Sequence, residues 1–328
     1  MDQAEKNIVE PNFTLPSTFK YFGQGSEFAV IYFKNILLTI FTLGIYYPWA
    51  KVEMLSYHYQ STELEKSRFT FHGTGKEVFK GYIKVYLAFI LVYGFLIYGT
   101  STQDPTMSVL SLLTFYVFIL SILPLAIHGM ARYRSSRSSW RGIHFKYLGK
   151  RGEFYKMCIK GFLLTIFTLG IYGAWFEVDI RKYILRHLKL GNLEFDFKGE
   201  GGQLFWINFK FVLLVYLTLG IYTFWYVKNL WEFMANNTVV KQDGKEVKFN
   251  IDITAGKVFE LLFVNILIIV FTLGLGTPWV IVRTLTYVFK YLEIENGIDF
   301  EKVEQGDLDD YDDAAGEDAL DFLDLDLL

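Results

Sequence analysis

The nonapeptide "FTLGIYYPW" at residues 41–49 has three further copies in the chain: "FTLGIYGAW" at 167–175, "LTLGIYTFW" at 217–225 and "FTLGLGTPW" at 271–279. In each copy an apolar run ends at Leu-Gly, and a tryptophan follows five residues after the glycine. Recurrence of this kind is typical of proteins built from tandem structural units. The four copies therefore predict equivalent points in repeated units.

A second pattern, aromatic-x-aromatic-x-Gly, marks the start of each unit. It is complete in four places and weaker in a fifth: Phe19-x-Tyr21-x-Gly23, Phe69-x-Phe71-x-Gly73, Phe145-x-Tyr147-x-Gly149, Phe195-x-Phe197-x-Gly199 and Phe249-x-Ile251-x-Ile253. Alternating aromatic residues followed by glycine predict a short strand that enters a turn. The last residue of this pattern lies 21 residues before the Leu-Gly glycine wherever both occur. In the second unit the same spacing points to Gly94, where the Pro-Trp element is lost.

The constant spacing divides the chain into five units between two tails. The predicted boundaries are 1–18 for an N-terminal tail, then 19–66, 67–142, 143–192, 193–246 and 247–300 for the units, and 301–328 for an acidic, disordered tail.

Each unit reads as strand, helix A, glycine stop and helix B. In the first unit helix A is expected at 27–43 and helix B at 48–66. The glycine suits a left-handed position after helix A, Pro48 suits the first turn of helix B, and the tryptophan is expected at the membrane–water boundary. The predicted helix-hairpin tips comprise Gly44, Trp49, Gly170, Trp175, Gly220, Trp225, Gly274 and Trp279.

The composition predicts a membrane protein. Hydrophobic residues make up 52% of the chain, and residues 85–131 contain no Lys or Arg, which leaves room for two spanning helices. None of the 32 Lys and Arg lies at a tip, whereas the strand segments are basic. The positive-inside rule then predicts a multi-pass protein with periplasmic tips, and with the strands and both termini in the cytoplasm. Helix B is polar for a membrane span, so it either sits inside the bundle or lies partly in the interface.

The two patterns together resemble the YjgN-like family of bacterial inner-membrane proteins, a family of unknown function. The resemblance covers roughly residues 19–298 and is carried by the "TLGIY" and "PW" elements and by the aromatic-glycine strands. It implies a location in the bacterial inner membrane, and it supplies no activity, substrate or catalytic residue. The fold class expected from the residues is an all-α polytopic membrane protein. Its five helix-hairpin repeats, about ten helices, are separated by short cytoplasmic β-strands that could pair into a small sheet.

A polar side chain stands nine residues after each tip glycine: Glu53, Asp179, Asn229 and Arg283. In a bundle these residues form a polar layer at one depth, where ionisable groups are costly unless they are paired or functional. The layer either lines a solute path or is structural, with Arg283 neutralised by the acids. Four residues further on, an aromatic position is suited to packing on helix A or to a pore-lining collar, and it is filled by Tyr57, Tyr183, Phe233 and Tyr287.

Lysines recur ten residues before the tip glycine in four units: Lys34, Lys84, Lys160 and Lys210. They are expected to anchor helix A at the lipid headgroups or to bind anionic lipid. The single cysteine and five scattered histidines offer no metal-ligand spacing. No metal, cofactor, catalytic residue or nucleic-acid partner is therefore expected, and the acidic tail is expected to hold an unidentified protein partner.

Two functions remain open. The first hypothesis is a channel or transporter for a small solute or ion, with helix B lining the path. The alternative is a non-transporting membrane scaffold or lipid-binding protein. An enzyme is not expected, because the sequence offers no nucleophile–base pair or metal cluster.

Overall fold

The computed structural model describes residues 17–295 and 297–305. This part of the chain forms ten α-helices: α1 Gly25–Phe41, α2 Tyr47–Ser61, α3 Gly75–Ser101, α4 Pro105–Ser136, α5 Arg151–Phe167, α6 Gly173–Arg186, α7 Gly201–Leu217, α8 Thr223–Asn236, α9 Ala255–Phe271 and α10 Thr277–Tyr291. It also forms ten β-strands: β1 Ser17–Tyr21, β2 Thr62–Leu64, β3 Ser67–Phe71, β4 Ser138–Trp140, β5 Ile143–Tyr147, β6 Leu188–Leu190, β7 Leu193–Phe197, β8 Thr238–Gln242, β9 Lys245–Ile251 and β10 Leu292–Ile294. Residues 297–305, the C-terminal segment, follow β10 and contain one 3₁₀ turn at Phe300–Lys302.

The strands close into one antiparallel barrel. Each pair of helices leads into a β-hairpin, and neighbouring hairpins pair edge to edge in the order β1-β10-β9-β8-β7-β6-β5-β4-β3-β2. The first and last strands meet through Thr18 and Glu293, and β1 pairs with β2 through Phe19 and Leu64. Closure leaves none of these ten strands with an unpaired edge.

The barrel shows that the predicted all-α class, with short strands between helical hairpins, is wrong. The aromatic-x-aromatic-x-Gly pattern located the odd-numbered strands, but it gave no sign of the partners. Four of the even-numbered strands, β2, β4, β6 and β10, have only three residues each. Strands this short are marginal as isolated hairpins and become stable through closure around a shared apolar interior.

Four of the five helical hairpins, α1–α2, α5–α6, α7–α8 and α9–α10, are short, and the second helix of the first one is shorter than predicted. Helix α2 ends at Ser61 after 15 residues, because the next three residues pair as β2 instead of extending the helix to 66. Helices α6, α8 and α10 have 14, 14 and 15 residues. Within the described residues, α3 and α4 are the two helices both long and apolar enough to cross a bilayer.

The Leu-Gly pairs end the first helix of each short hairpin with a Schellman motif. In α1 the amide of Gly44 donates to the carbonyl of Thr39 (2.7 Å), and the amide of Leu43 donates to that of Ile40 (3.0 Å). These are the two bonds that define the motif. Leu43, at φ +50°, takes the left-handed position after the C-cap, and Gly44 follows at φ +93°. The signature therefore needs both residues, and the leucine occupies the place the sequence had suggested for the glycine.

The glycine that ends the strand pattern makes room for the aromatic ring two residues before it. A methyl group on Gly73 would lie 2.7 Å from the ring of Phe71, and one on Gly199 would lie 2.5 Å from the ring of Phe197. Such distances are well inside van der Waals contact. The fifth unit has Ile251 in place of the ring and Ile253 in place of the glycine, so the two positions change together.

Candidate functional site: the barrel interior and the lysine faces

The inside of the barrel is filled by apolar side chains. Five phenylalanines, one from each odd-numbered strand, pack against a buried cluster of residues from odd- and even-numbered strands and from the C-terminal segment. The five are Phe19, Phe69, Phe145, Phe195 and Phe249. Two neighbouring pairs have ring centroids 6.2 Å and 6.3 Å apart, within the range of favourable aromatic contacts. These phenylalanines are the first aromatic residue of each pattern, so the motif encodes the lining of the barrel.

Trp140 is the largest buried side chain of this interior, with 1% of its surface exposed. Its indole Nε1 donates to the carbonyl of Leu64 (3.1 Å), so the one polar atom of the side chain is satisfied. Its ring meets Phe300 of the C-terminal segment edge to face, with centroids 5.7 Å apart. The segment therefore contributes to the same core as the strands.

The C-terminal segment closes the end of the barrel that carries the β-turns. The Gln242 side chain accepts from the amide of Asp299 (2.7 Å) and donates to its carbonyl (2.9 Å). Asn192 donates to the carbonyl of Lys302 (3.1 Å), and Val303 is buried in the barrel core. The predicted acidic tail thus begins with residues packed on the barrel, and the rest of it, 306–328, lies outside the described residues.

A buried carboxylate sits on the outer wall of the barrel. Asp196 of β7 accepts from Arg186 Nε (2.8 Å) and lies 3.3 Å from Lys198 Nζ. Desolvation raises the pKa of this carboxyl, but the bonds from Arg186, the Phe197 amide and Lys198 outweigh it, so the pKa is lowered overall. Asp196 is therefore ionised and ties helix α6 to the barrel.

The predicted polar layer occupies equivalent positions, the seventh residue of α2, α6, α8 and α10, but its members do not pair with one another. Glu53 forms an ion pair with Lys34 of its own hairpin. Asp179 accepts from the Tyr172 hydroxyl at 3.4 Å. Among the described residues, no ion pair joins Arg283 to either acid.

The lysine and the polar position of one hairpin are 19 residues apart in every short unit. The pairs are Lys34 with Glu53, Lys160 with Asp179, and Lys210 with Asn229, whereas Val264 stands opposite Arg283. A lysine is thus absent from the hairpin that already has a cation there. Two of these pairings join opposite charges, but Asn229 opposite Lys210 is neutral, so charge balance within the hairpin holds for the first and third units only.

The lysines lie on the outer faces of the first helices. Lys34 is exposed between Val30 and Leu37, which are themselves exposed, and Lys160 and Lys210 have exposed apolar neighbours three residues further on, at Leu163 and Leu213. Lys84 occupies the equivalent place on α3 and is exposed too. An ammonium on an apolar face of this kind suits the headgroup boundary of a bilayer.

Along α5, seven side chains of this one helix form a continuous stripe on its outer face. Lys156 and Lys160 lie at one end, and Leu163, Leu164 and Phe167 line the end nearer the tip. A cationic end joined to an apolar end matches the two chemistries of an anionic lipid, a charged headgroup and an acyl chain.

The aromatic position of the second helix packs against the first helix. The Tyr57 hydroxyl contacts the backbone of Gln24 as acceptor (2.7 Å) and donor (3.0 Å), and Tyr183 makes the same pair of bonds with Lys150. Phe233 is buried in a cluster with Leu204 of α7, and Tyr287 reaches Glu260 of α9 (3.4 Å). Within the described residues, no group of three or more His, Cys, Asp or Glu is placed to hold a metal ion.

Comparison with known proteins relates the chain to uncharacterised membrane proteins. The family described as bacterial protein of unknown function (DUF898) matches residues 16–202 and 212–322. The inner membrane protein YjgN of Salmonella typhimurium is 26% identical over 169 residues, 51% of this chain and 40% of that protein. The protein of the same name from Escherichia coli K12 is 32% identical over 157 residues, 48% of this chain and 35% of that protein.

The matched segments cover only about a third to two fifths of the curated relatives. No solved structure matches the chain significantly. The names of the relatives support the predicted resemblance to the YjgN-like family and the expected location in a bacterial inner membrane. They assign no activity.

Proposed function

The chain belongs to the family of bacterial proteins of unknown function (DUF898), and from this premise we propose that it is a non-transporting membrane scaffold that binds anionic lipid. The observation that carries the proposal is the filled barrel. Ten strands enclose phenylalanine, leucine, valine and tryptophan side chains, and the C-terminal segment packs on one end of them. A solute or ion path needs polar groups to replace its water shell, and an apolar packed interior offers none.

The transport hypothesis also loses its motivation from the polar layer. That hypothesis requires Glu53, Asp179, Asn229 and Arg283 to converge on one path. Instead Glu53 is paired with a lysine on the lipid-facing side of its own hairpin. A local ion pair accounts for Glu53 without a conducting role.

Lipid binding is supported by the stripe on the outer face of α5. Lys156 and Lys160 supply positive charge beside the apolar side chains of Leu163 and Phe167. Each cation near an anionic membrane surface contributes about 1 kcal/mol of attraction. The two lysines together therefore favour an anionic headgroup over a zwitterionic one at this face.

The lipid arm of the proposal is tested with the purified protein in nanodiscs. The thermal unfolding midpoint should be higher in nanodiscs containing phosphatidylglycerol than in pure phosphatidylcholine. The double variant Lys156→Gln, Lys160→Gln should lose much of this difference. A matched control, Lys66→Gln with Lys245→Gln, removes the same charge from exposed β-turns of the barrel and should keep it. Equal midpoints in the two lipids, or equal losses in the two variants, would contradict lipid binding at this face.

The scaffold arm is tested by flux. Proteoliposomes loaded with potassium or with a small anionic dye should leak no faster than protein-free liposomes. The double variant Phe145→Ala with Phe195→Ala removes two of the five phenylalanines that fill the barrel. If the barrel contained a solute path closed by these side chains, this variant would increase the leak rate. Protein-dependent flux in the unmodified protein would refute the non-transporting role.

A further inference from the structure

The helices of the four short hairpins, α1–α2, α5–α6, α7–α8 and α9–α10, are shorter than the hydrocarbon core of a bilayer even when they stand upright. Their first helices have 17 residues, about 26 Å, and their second helices have 14 or 15, about 21–23 Å. A hydrocarbon core is about 30 Å thick. Any lean away from upright therefore leaves them still further short of spanning.

The first short hairpin leans over its neighbour. Its tip contacts α3 through two hydrogen bonds: Tyr82 donates to the carbonyl of Gly44 (3.1 Å), and Tyr86 donates to that of Leu43. In an upright arrangement Gly44 would lie opposite its equivalent, Gly94. Tyr82 precedes Gly94 by twelve residues, about 18 Å along the helix. The tip therefore lies much nearer the barrel than it would if α1 stood upright beside α3.

The recurring tip tryptophan fixes the same lean in three of the four short hairpins. A methyl group on Gly75, the first residue of α3, would lie 2.4 Å from Cδ1 of Trp49. Gly201 stands in the same relation to Trp175, and Gly25 to Trp279, at 2.4 Å and 2.3 Å. These glycines begin helices that rise from the barrel. The start of the second helix is therefore held near the barrel in these three hairpins. Its end is also near the barrel, because it leads into a strand, so the helix runs obliquely across the barrel end.

The tips themselves are apolar and open. Leu169 and Leu219 are 94% exposed and Leu273 is 92% exposed, and the phenylalanines at 41, 167 and 271 are about four-fifths exposed. The loop of the α3–α4 hairpin contrasts with them, since it carries Thr102, Gln103 and Asp104. Leucines on a tip in water would cost the hydrophobic free energy of each side chain, about 1.5–3 kcal/mol. Leucines on a tip in hydrocarbon would cost nothing.

The backbone of the tips is also compatible with hydrocarbon. The Schellman bonds satisfy amides and carbonyls at the end of the first helix, and the Thr42 hydroxyl accepts from the amide of Tyr46 (2.9 Å). Thr168, Thr218 and Thr272 make the same bond in the other short hairpins. Backbone buried in a bilayer must be satisfied internally in this way.

The lysines indicate how deep the tips reach. Lys34, Lys160 and Lys210 precede their tip glycines by ten residues, about 15 Å along the helix. This is about half of a hydrocarbon core, the depth of one leaflet. With the ammonium groups among the headgroups, the tips end inside the same leaflet.

We propose that the four short hairpins are re-entrant: they enter one leaflet from the barrel side, bind its acyl chains with their leucine and phenylalanine tips, and turn back inside it. Only the α3–α4 hairpin, with helices of 27 and 32 residues, crosses. The proposal rests on the membrane location in the proposed function and is independent of whether the protein transports. It replaces the expected periplasmic tips.

Single-cysteine labelling tests the proposal in the full chain. Cys158, the one native cysteine, is buried and is replaced by alanine, and cysteines are then introduced as Leu169→Cys, Leu219→Cys and Leu273→Cys. Gln103→Cys in the α3–α4 loop and Lys245→Cys in the barrel serve as controls on the two sides. A membrane-impermeant maleimide should label each control from one side only, and from opposite sides. It should label the tips from neither side until detergent and denaturant are added.

Two outcomes would overturn the proposal. Tip labelling from the side of Gln103→Cys would mean that the hairpins span, and tip labelling from the side of Lys245→Cys would place them in water. If Cys158→Ala does not fold, the native cysteine is retained, since its burial keeps it unlabelled before denaturation. Spin labels at the same tips should collide more with oxygen than with a polar nickel complex, and the reverse would also refute a hydrocarbon location. The liposome flux assay tests transport and the labelling assay tests the position of the tips, so either proposal can be refuted without the other.

Discussion

Replacing Trp140 tests the filled barrel most directly. The side chain is 1% exposed, and it contacts both the strands and Phe300 of the C-terminal segment. Trp140→Ala should cost about 3–5 kcal/mol, because it leaves a large cavity that ten paired strands cannot collapse. Trp140→Phe keeps most of the apolar area but removes the donor to the carbonyl of Leu64, at a cost of about 1–3 kcal/mol. The two variants should therefore rank alanine as worse than phenylalanine.

The assay is thermal unfolding of purified protein in one detergent, followed by loss of monodisperse protein on size-exclusion chromatography, which does not depend on tryptophan fluorescence. For a protein of this size, a loss of 3–5 kcal/mol lowers the midpoint by roughly 10 °C. Trp206→Ala is the matched control, because Trp206 is 57% exposed on the outer face of α7 and should change stability by less than about 0.5 kcal/mol. Equal losses of stability in the Trp140→Ala and Trp206→Ala variants would refute a packed barrel and would favour strands that lie on the surface of a helical protein.

Three further variants probe the features that shape the hairpins and the barrel wall. Gly75→Val should destabilise the fold and Gly94→Val should not, because Trp49 lies against Gly75 and nothing lies within 4 Å of a Cβ on Gly94; Trp49→Ala should partly rescue Gly75→Val in thermal unfolding. Gly170→Val should lower expression and stability more than Gly170→Asn, since φ is +93° there and a β-branched residue resists it; equal stabilities would remove the Schellman explanation. The pKa of Asp196 is lower in the folded than in the unfolded chain. The stability that its carboxylate contributes is therefore complete above the unfolded pKa, near pH 4, and is lost as the pH falls through the folded pKa. Asp196→Asn should flatten this part of the stability–pH curve, and an unchanged curve would contradict the ion pairs of Asp196 as the source of the effect.

The sequence carried the order of elements but not their closure. Two spacings were enough to place the odd-numbered strands, the helix pairs and the tips, because turn glycines and aromatic alternation act locally. Strands such as β2 and β6 could not be found, since three residues at the end of a helix carry no period of their own. Their pairing is decided by partners about 40 residues away, as when Phe19 meets Leu64. The barrel closes only when all five β-hairpins pair with their neighbours. The sequence of one unit therefore predicts only a helical hairpin and a strand without a partner.

The candidate site followed the same division. The lysine faces were visible because a charge inside an apolar helix stands out, and Lys34 lies on the outer face of α1 as a headgroup anchor requires. The polar layer misled because equal depth along four helices was taken to mean convergence. Glu53 points to Lys34 instead, and the signal that distinguished the two readings was already present: Val264 replaces the lysine in the hairpin that holds Arg283. The absence of a lysine opposite Arg283 favours contacts within a hairpin, although Lys210 opposite the neutral Asn229 does not follow this rule.

The second unit shows why the tip tryptophan matters for more than a membrane boundary. This unit lacks the Pro-Trp element, and its helices α3 and α4 are the long ones. The helix that follows it begins at Arg151, whereas the helices behind Trp49 and Trp175 begin at glycine. The second hairpin has no tip tryptophan that packs on the start of the next first helix, so it can extend away from the barrel, and that next helix, α5, does not need a glycine at its first position. A receiving glycine is not always present, since α9 behind Trp225 begins at Ala255. The unit without the tip tryptophan is nevertheless the one with the long helices, as expected if the tryptophan holds a hairpin close to the barrel.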